Sequence, residues 1–300
     1  MALLGVRGGL SVDHLVWEGK GARFAEPGGP GLFAVLGARL VAGVDVRLAT
    51  ELPSDDPRFA ELFTRHGIDH RYCTVGAAAT RLWILNSNEG RRIVETASRS
   101  AIEIEGEGSD GDEQGEPETD ARFFAGLDAL LDSSPLSRAQ VDPRTATGVD
   151  PHQGPMRLEG LEYLRRVVRP GGVVLPSRVQ LALIDSDARA AARRIAFELA
   201  TPVIARLDRE GMLVVDPDDP DDWEIRDSGI HVVETTGAGD SSAAAIMAAI
   251  ALGADLRTAA MFGVAVARIA VSDWGASGLL RAEQFTVPPD GVTASKERRR

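Results

Sequence analysis

The chain has 300 residues, of which 44% are hydrophobic and 26% charged, a composition that argues against global disorder. Its formal net charge of −12 disfavours binding to a phosphate backbone, so no nucleic-acid partner is expected. A single cysteine, Cys73, excludes an internal disulfide and a cysteine-cluster metal site. With no apolar run long enough for a membrane span and no signal-peptide pattern, we expect a cytoplasmic protein without a membrane partner.

Apolar stretches bounded by glycine and proline predict alternating strands and helices. Strands are predicted over residues 3–9, 44–50, 72–75, 80–86, 91–96, 147–150, 173–175, 203–207, 212–215 and 230–233. Helices are predicted over residues 32–41, 56–66, 158–168, 185–199, 240–251 and 256–271. This alternation is typical of an α/β fold, with a doubly wound, mostly parallel sheet covered by helices on both faces.

Four segments carry unusual charge or turn chemistry. Residues 87–90 read Ser-Asn-Glu-Gly between two strand patterns and predict a β-hairpin. Residues 103–120 are rich in Glu, Asp and Gly and predict a mobile acidic loop, and residues 216–222 predict an acidic turn. The basic tail at 296–300 is interpreted as a solvated terminus.

The chain's only lysines, Lys20 and Lys296, limit its phosphate chemistry. Neither lies in the Gly-Lys-Ser/Thr context of a P-loop, so phosphate binding would have to use backbone amides, arginine and metal. Two loose glycine patterns, at residues 29–34 and 106–111, lack the preceding strand that a dinucleotide site needs.

The glycine loop at residues 235–240 gives a stronger signal. An apolar segment precedes it and a long helix pattern follows, so the first amides of the helix would form an anion site. Asp240 at its mouth is placed either to accept a proton from a hydroxyl or to cap the helix, and the motif alone favours neither.

Residues 234–241, Glu-Thr-Thr-Gly-Ala-Gly-Asp-Ser, closely resemble the C-terminal signature of the PfkB (ribokinase-like) carbohydrate and nucleoside kinases. The di-glycine segment at 28–31, the hairpin at 80–96 and the segments at 9–13, 203–211 and 274–276 are similar to other parts of the family pattern. The resemblance implies a single ribokinase-like domain over residues 1–300, with a β-lid from about 12–26 and 80–96.

The resemblance further implies an ATP- and Mg²⁺-dependent kinase that phosphorylates a hydroxyl of a sugar, polyol or nucleoside. Asp240 would be the general base, and the amides of Gly237, Ala238 and Gly239 would stabilise the transferring phosphoryl group. The residues implied for substrate are Asp13, Gly28, Gly29 and Phe33, and those implied for the nucleotide are Arg206, Asp208, Gly211, Gly275 and Ala276. Arg91 and Arg92 in the hairpin are weaker candidates for contact with an anionic substrate.

This chain departs from the family pattern at three places. Phe33 replaces an asparagine of the di-glycine signature, and residues 177–180, Ser-Arg-Val-Gln, replace the Asn-x-x-Glu motif that organises Mg²⁺. Gln180 is therefore implied only as an indirect metal ligand. Arg206-Leu207-Asp208 replaces Thr-x-Gly, and Arg206 is interpreted either as a phosphate ligand or as the partner of a neighbouring carboxylate.

Two other functions stay open at this stage. The altered metal and nucleotide motifs suggest a ligand-binding or regulatory protein with weak or no kinase activity, and the Gly29 loop suggests a nicotinamide-dependent dehydrogenase. The family resemblance also suggests a homodimer formed through the lid.

Overall fold

The computed structural model describes residues 1–87, 90–96, 103–107 and 119–299. Its strands are β1 (Ala2–Arg7), β2 (Ser11–Trp17), β3 (Gly21–Gly28), β4 (Val44–Ala49), β5 (Glu51–Leu52), β6 (Thr74–Val75), β7 (Thr80–Ser87), β8 (Gly90–Thr96), β9 (Glu103–Glu107), β10 (Ala129–Ser133), β11 (Ala146–Asp150), β12 (Val173–Val174), β13 (Val203–Arg206), β14 (Met212–Val215), β15 (Asp221–Asp227) and β16 (Val292–Arg298). Its helices are α1 (Pro30–Ala38), α2 (Arg58–Arg65), α3 (Gln153–Glu159), α4 (Leu161–Val167), α5 (Arg178–Leu181), α6 (Ala188–Leu199), α7 (Ala238–Ala251), α8 (Leu256–Val271) and α9 (Ser277–Arg281).

The larger sheet has nine strands in the order β16-β15-β14-β13-β12-β11-β10-β1-β4. Pairing is parallel from β4 to β13 and antiparallel from β13 to β16. The predicted mostly parallel α/β sheet is confirmed. Because parallel strands end at one edge, the residues that follow β1, β10, β11 and β13 gather there, where α/β proteins bind ligands.

The smaller sheet has five strands in the order β3-β2-β7-β8-β9 and contains both segments predicted for the lid. The predicted hairpin forms from β7 and β8, which pair antiparallel. The prediction of a mobile loop is wrong for Glu103–Glu107, because these residues form β9 and pair with β8. Backbone pairing to an open strand edge does not need apolar side chains. The remainder of the acidic segment up to residue 118 lies outside the described residues.

Helices α1 and α7 pack against each other in the interior and carry apolar side chains all round. Residues 31–38 of α1 and 241–249 of α7 are all buried. A Cβ on Gly37 would overlap the backbone of Ser241, so glycine permits this close approach. The long helix predicted over residues 256–271 has the same bounds in the structure. No helix in the described part of the chain is long and apolar enough to cross a membrane.

Three local predictions are wrong. Residues 230–233 form no strand, and the helix predicted over 158–168 is divided at Gly160, whose φ is +58°, between α3 and α4. The basic tail is not a free terminus, because it contributes to β16, which pairs with β15.

The acidic turn forms at residues 216–220, where the Asp219 N–H donates to the Asp216 carbonyl at 3.2 Å, and β15 begins directly after it. The charges of β15 and the basic tail are complementary, since the Nε atom of Arg299 donates to the fully buried carboxylate of Asp222 at 2.5 Å.

Candidate active site

Helix α7 begins at Gly237, whose φ is +76°, and no side chain caps its first turn. The first four amides of a helix have no partner within the helix, so this end presents N–H groups to a ligand. One of them is partly used, because the Ala238 N–H donates to the Thr235 carbonyl at 3.3 Å. Asp240 is the third residue of the helix and does not occupy the N-cap position. The capping alternative for Asp240 is therefore not supported.

Glycine is required at 237 by its neighbour as well as by its backbone angle. A Cβ there would overlap the ring of Phe33, which is 2% exposed and packs beneath the loop. Phe33 therefore supports the loop at the start of α7. Its predicted contact with substrate stays a prediction.

Glu234 fastens this loop to the segment at 275–276. Its buried carboxylate accepts hydrogen bonds from the Thr236 N–H at 2.8 Å and the Thr236 hydroxyl at 2.6 Å. It also accepts one from the Gly275 N–H at 3.3 Å. Gly275 and Ala276, predicted to contact the nucleotide, are thus held beside the start of α7.

Asp13 lies on β2 of the smaller sheet and is 2% exposed. Its Oδ1 atom accepts a hydrogen bond from the Ser11 hydroxyl at 2.7 Å. A Cβ on Gly28 would overlap the Asp13 carboxyl group, and a Cβ on Gly29 would lie 2.6 Å from the Ser11 nitrogen. The two glycines predicted to bind substrate therefore let the backbone close around Asp13. Sequence reasoning missed Ser11, because a serine two residues before an aspartate carries no distinctive signal.

Burial raises the pKa of Asp13 from its ordinary 3.8 to about 7. The Ser11 hydrogen bond lowers this pKa, the Glu234 carboxylate raises it, the Arg91 guanidinium lowers it and the Asp240 carboxylate raises it. Asp13 and Asp240, predicted from opposite halves of the chain, therefore lie within electrostatic range of each other.

Arg206 ends β13, and its guanidinium reaches the start of α7. Its Nη1 atom lies 3.0 Å from the position that a Cβ would take on Gly239. Its Nη2 atom donates to Asp150 Oδ1 and to the Leu175 carbonyl, both at 2.6 Å. The structure places Arg206 beside both a carboxylate and the predicted anion site. Asp150 was missed because its partner lies far away along the chain.

Asp208 and Gly211 shape the turn after β13. Asp208 has a φ of +53°, a conformation that favours the glycine of the family pattern at this place. Gly211, with a φ of +85°, passes so close to the Ile225 carbonyl that a Cβ would overlap it. The exposed Asp208 carboxylate lies 3.1 Å from the Arg178 Nε atom. Nucleotide contact by either residue stays a prediction.

Gln180 does not fit the role of a metal ligand. Its Oε1 atom accepts from the Ser177 N–H at 2.6 Å, which completes a capping box at α5. Its Nε2 group donates to Asp150 Oδ1 at 3.1 Å and to the Pro151 carbonyl at 2.5 Å. The side-chain amide is therefore occupied by the protein itself. Among the described residues, no group of three His, Cys, Asp or Glu side chains is arranged to hold a metal ion.

Residues 179–282 match the sequence profile of the pfkB family carbohydrate kinases, and this stretch contains both Arg206 and the loop at α7. The resemblance to the PfkB family is confirmed. No curated protein sequence matches this chain.

Solved structures support the PfkB-type fold over almost the whole chain. A ribokinase from Cryptococcus neoformans var. grubii serotype A, in complex with ADP, is 17% identical with a TM-score of 0.68, and 93% of this chain and 97% of that chain are covered. A ribokinase from Thermotoga maritima is 20% identical with a TM-score of 0.64, covering 94% and 96%. An adenosine kinase from Sinorhizobium meliloti is 17% identical with a TM-score of 0.68, covering 91% and 94%. The predicted ribokinase-like fold is confirmed.

Proposed function

We propose that this protein is a kinase that transfers the γ-phosphoryl group of ATP to a hydroxyl of a sugar, polyol or nucleoside. The observation that carries the proposal is the placement of Asp240 in the uncapped first turn of α7, within electrostatic reach of the buried Asp13. One helix end thus combines a proton acceptor with amides that suit a phosphoryl group. The family match and the kinase neighbours support the same reaction class.

In this proposal Asp240 takes the proton of the acceptor hydroxyl while the oxygen attacks the phosphoryl group. The positive end of the helix favours its ionised form. The amides of Gly237, Ala238 and Gly239 stabilise the negative charge on the transferring group, and the Gly239 amide is the best placed, since that of Ala238 bonds weakly to Thr235. Asp13, held by Ser11 between the two glycines, orients the acceptor through a hydrogen bond.

The five-stranded sheet supplies the lid over this site. Leu15, Leu82, Ile84 and Ile93 form a buried cluster on the sheet, and Trp274 packs against it. Trp274 directly precedes Gly275, whose N–H is bonded to Glu234 just before the loop at the start of α7. The cluster therefore connects the sheet to that loop. We assign residues 1–300 to one ribokinase-like domain in which this sheet excludes water from the acceptor.

ATP is the proposed donor, with Mg²⁺ held mainly by its phosphates and by water, because Gln180 offers no carboxylate. Arg206, Gly275 and Ala276 are the proposed nucleotide contacts.

A cytoplasmic location and a homodimer through the lid also belong to the proposal. Phe24 on β3 is 60% exposed beside stacked His14 and Trp83, and light scattering of a Phe24→Ser variant tests whether a second copy covers it.

The acceptor class is tested by incubating the full chain with MgATP and a panel of sugars, polyols and nucleosides. ADP release and the mass of the phosphorylated product are measured together, so that ATP hydrolysis alone is recognised. We expect one chemical class to give product at a rate well above the others. Turnover with none of the panel, by a folded protein that binds ATP, would count against a kinase of this class.

One observation favours a second candidate function. Gln180 stands where the family pattern has a metal-organising glutamate, and Arg206 stands where it has a threonine. Both side chains are bonded to Asp150. A protein that kept the fold but lost transfer would bind nucleotide or sugar as a regulatory signal. Binding of both ligands without any product would favour that function.

A further inference from the structure

The strongest unexplained feature of the described residues is the hydrogen bonding of Arg206. This arginine is 7% exposed, and its Nε atom is buried without a hydrogen-bond partner among the described residues. Its Nη2 atom has two acceptors, Asp150 and the Leu175 carbonyl. A buried guanidinium normally has most of its five donors satisfied, so an unpaired donor points to a missing acceptor.

The Nε–H shares one edge of the guanidinium with Nη2, and the opposite side, at Nη1, faces the start of α7. Among the described residues Nη1 has no hydrogen-bond acceptor either, so an acceptor could sit there. The Nη1 atom approaches Gly239 so closely that a Cβ on that glycine would lie 3.0 Å away. Gly239 is the second residue of α7, a 14-residue helix that begins without a side-chain cap. A helix N-terminus and a buried cation thus meet at one point, and both attract the same kind of ligand, an anion with several oxygens.

We propose that Arg206 is the protein's own cation for the donor phosphates, shared between Asp150 and an anion at the start of α7. The chain then binds a polyphosphate without any divalent metal. This inference rests on the proposed kinase function for its biological donor, ATP.

The neighbouring residues explain why an arginine suits this position. Where the family pattern has the carboxylate of Asn-x-x-Glu, this chain has Gln180, whose amide is bonded to Ser177, Asp150 and Pro151. The protein therefore contributes no carboxylate for a metal at Gln180 and contributes a positive charge instead. A guanidinium binds phosphate oxygens in a fixed, two-point geometry that a metal held only by nucleotide and water does not impose.

Asp150 sets the strength of this site. With no ligand, its carboxylate neutralises Arg206 at 2.6 Å, since a buried charge needs a partner. An incoming anion competes with that carboxylate for the same guanidinium. Removing the arginine and removing the carboxylate must therefore change anion affinity in opposite directions. If the ion pair only stabilised the fold, the two substitutions would not change anion affinity in opposite directions.

The test measures binding of inorganic tripolyphosphate and of ADP to the full chain by calorimetry in excess EDTA. We expect both to bind without metal. Arg206→Gln should weaken tripolyphosphate binding by about 10- to 100-fold, the loss of a charged hydrogen bond. Arg206→Lys should retain part of the affinity, and Asp150→Asn should increase it by roughly tenfold because the competing charge is gone.

A second pair of variants controls for folding. Arg206→Gln leaves Asp150 buried and unpaired, so the double variant Arg206→Gln with Asp150→Asn removes the charge pair together and should fold while losing tripolyphosphate binding. The matched control is Arg7→Gln with Asp132→Asn, a buried pair at the ends of β1 and β10 with a 2.5 Å contact. This control should leave the tripolyphosphate affinity unchanged.

Three results would overturn the inference: no binding in EDTA, equal affinity in the Arg206→Gln variant, or weaker binding in the Asp150→Asn variant. Failure of the proposed function is distinguishable. Tripolyphosphate binding with the predicted opposite shifts, but without phosphorylation of any acceptor, would leave the inference standing and remove the kinase. Turnover with MgATP but no binding of tripolyphosphate in EDTA would support the kinase function and overturn the inference.

Discussion

Helices α1 and α7 begin in the same way, but among the described residues a buried cation lies only beside the start of α7. Each starts at a glycine with positive φ, +93° at Gly29 and +76° at Gly237, and neither has a side-chain cap. At α1 the Gly31 N–H donates to the Gly9 carbonyl at 2.8 Å, and the buried acid Asp13 lies against Gly28. At α7 the guanidinium of Arg206 lies beside Gly239, and the buried carboxylate of Glu234 is bonded to Thr236 just before the helix.

In the proposed function this difference separates two tasks, binding of the acceptor and binding of the donor phosphates. The start of α1 is closed by its own backbone and holds a carboxyl group suited to a hydroxyl of the acceptor. The start of α7 keeps amides for a ligand and faces a cation, which suits the donor phosphates. Because Phe33 lies against Gly237 and Gly37 against Ser241, the two helices run in the same direction and their starts lie about one turn apart. Variants at each end can therefore test the two tasks separately.

The largest effect is expected at the α7 end, from Asp240→Asn. If Asp240 is the general base, kcat falls by about 10²–10⁴-fold, while nucleotide affinity changes far less because the loop amides remain. Steady-state kinetics and nucleotide titration measure the two effects. Asp255→Asn is the matched control, since this N-cap of α8 should keep its cap and its turnover. Turnover of Asp240→Asn within threefold of the unmodified protein would refute the catalytic role.

At the α1 end the sharpest expectation concerns pH. Because the pKa of Asp13 is raised to about 7, the folded protein binds this proton more tightly than the unfolded chain. Protonation of Asp13 therefore contributes fully to the free energy of unfolding below pH 4. This contribution is lost as the pH rises towards 7, by up to about 1.4 kcal/mol per pH unit.

Urea unfolding between pH 4.5 and 7.5 measures this slope, and Asp13→Asn should remove it. The lowered pKa values of His14 and His66 act in the opposite direction and are common to both proteins. Equal slopes for the two proteins would show that Asp13 is ionised in the folded state throughout.

Gly237→Ala tests the packing of the α7 loop on α1. It combines an unfavourable backbone angle with overlap of the Phe33 ring, so we expect a loss of unfolding free energy of about 1–3 kcal/mol and impaired turnover. Gly253→Ala is the control, because Gly253 has a φ of +85° and no atom within 4 Å of its Cβ position. The difference between the two variants gives the cost of the overlap. Equal losses of unfolding free energy in the two variants would mean that the Phe33 ring moves aside without a measurable free-energy cost.

The smallest effect on turnover is expected from Gln180→Glu. The new carboxylate would lose the Nε2 bonds to Asp150 and Pro151 and repel Asp150, which costs about 1–3 kcal/mol without metal. Excess Mg²⁺ should restore part of the melting temperature and lower the metal concentration for half-maximal rate. A variant whose stability is indifferent to Mg²⁺ would show that residue 180 lies away from any metal.

Local chemistry made several elements predictable. The turn residues at 87–90 place the hairpin of β7 and β8, and the periodic apolar residues of α8 give its bounds. The same local reading failed at β10, to which no element was assigned. Its Ala-Leu-Leu pattern suits helix and strand alike, and only pairing with β1 and β11 decides between them.

The sequence by itself determined the resemblance to the PfkB family, the α/β class and the glycine loop with Asp240, since these depend on residues that are neighbours along the chain. Only the tertiary structure decided that Arg206 pairs with Asp150 yet borders Gly239, that Phe33 lies under Gly237 and that the basic tail pairs with β15. Each of these contacts joins residues far apart in sequence. A local sequence pattern does not identify a partner that lies far away along the chain. Burial and charge interactions depend on distance in space, which only the folded chain sets.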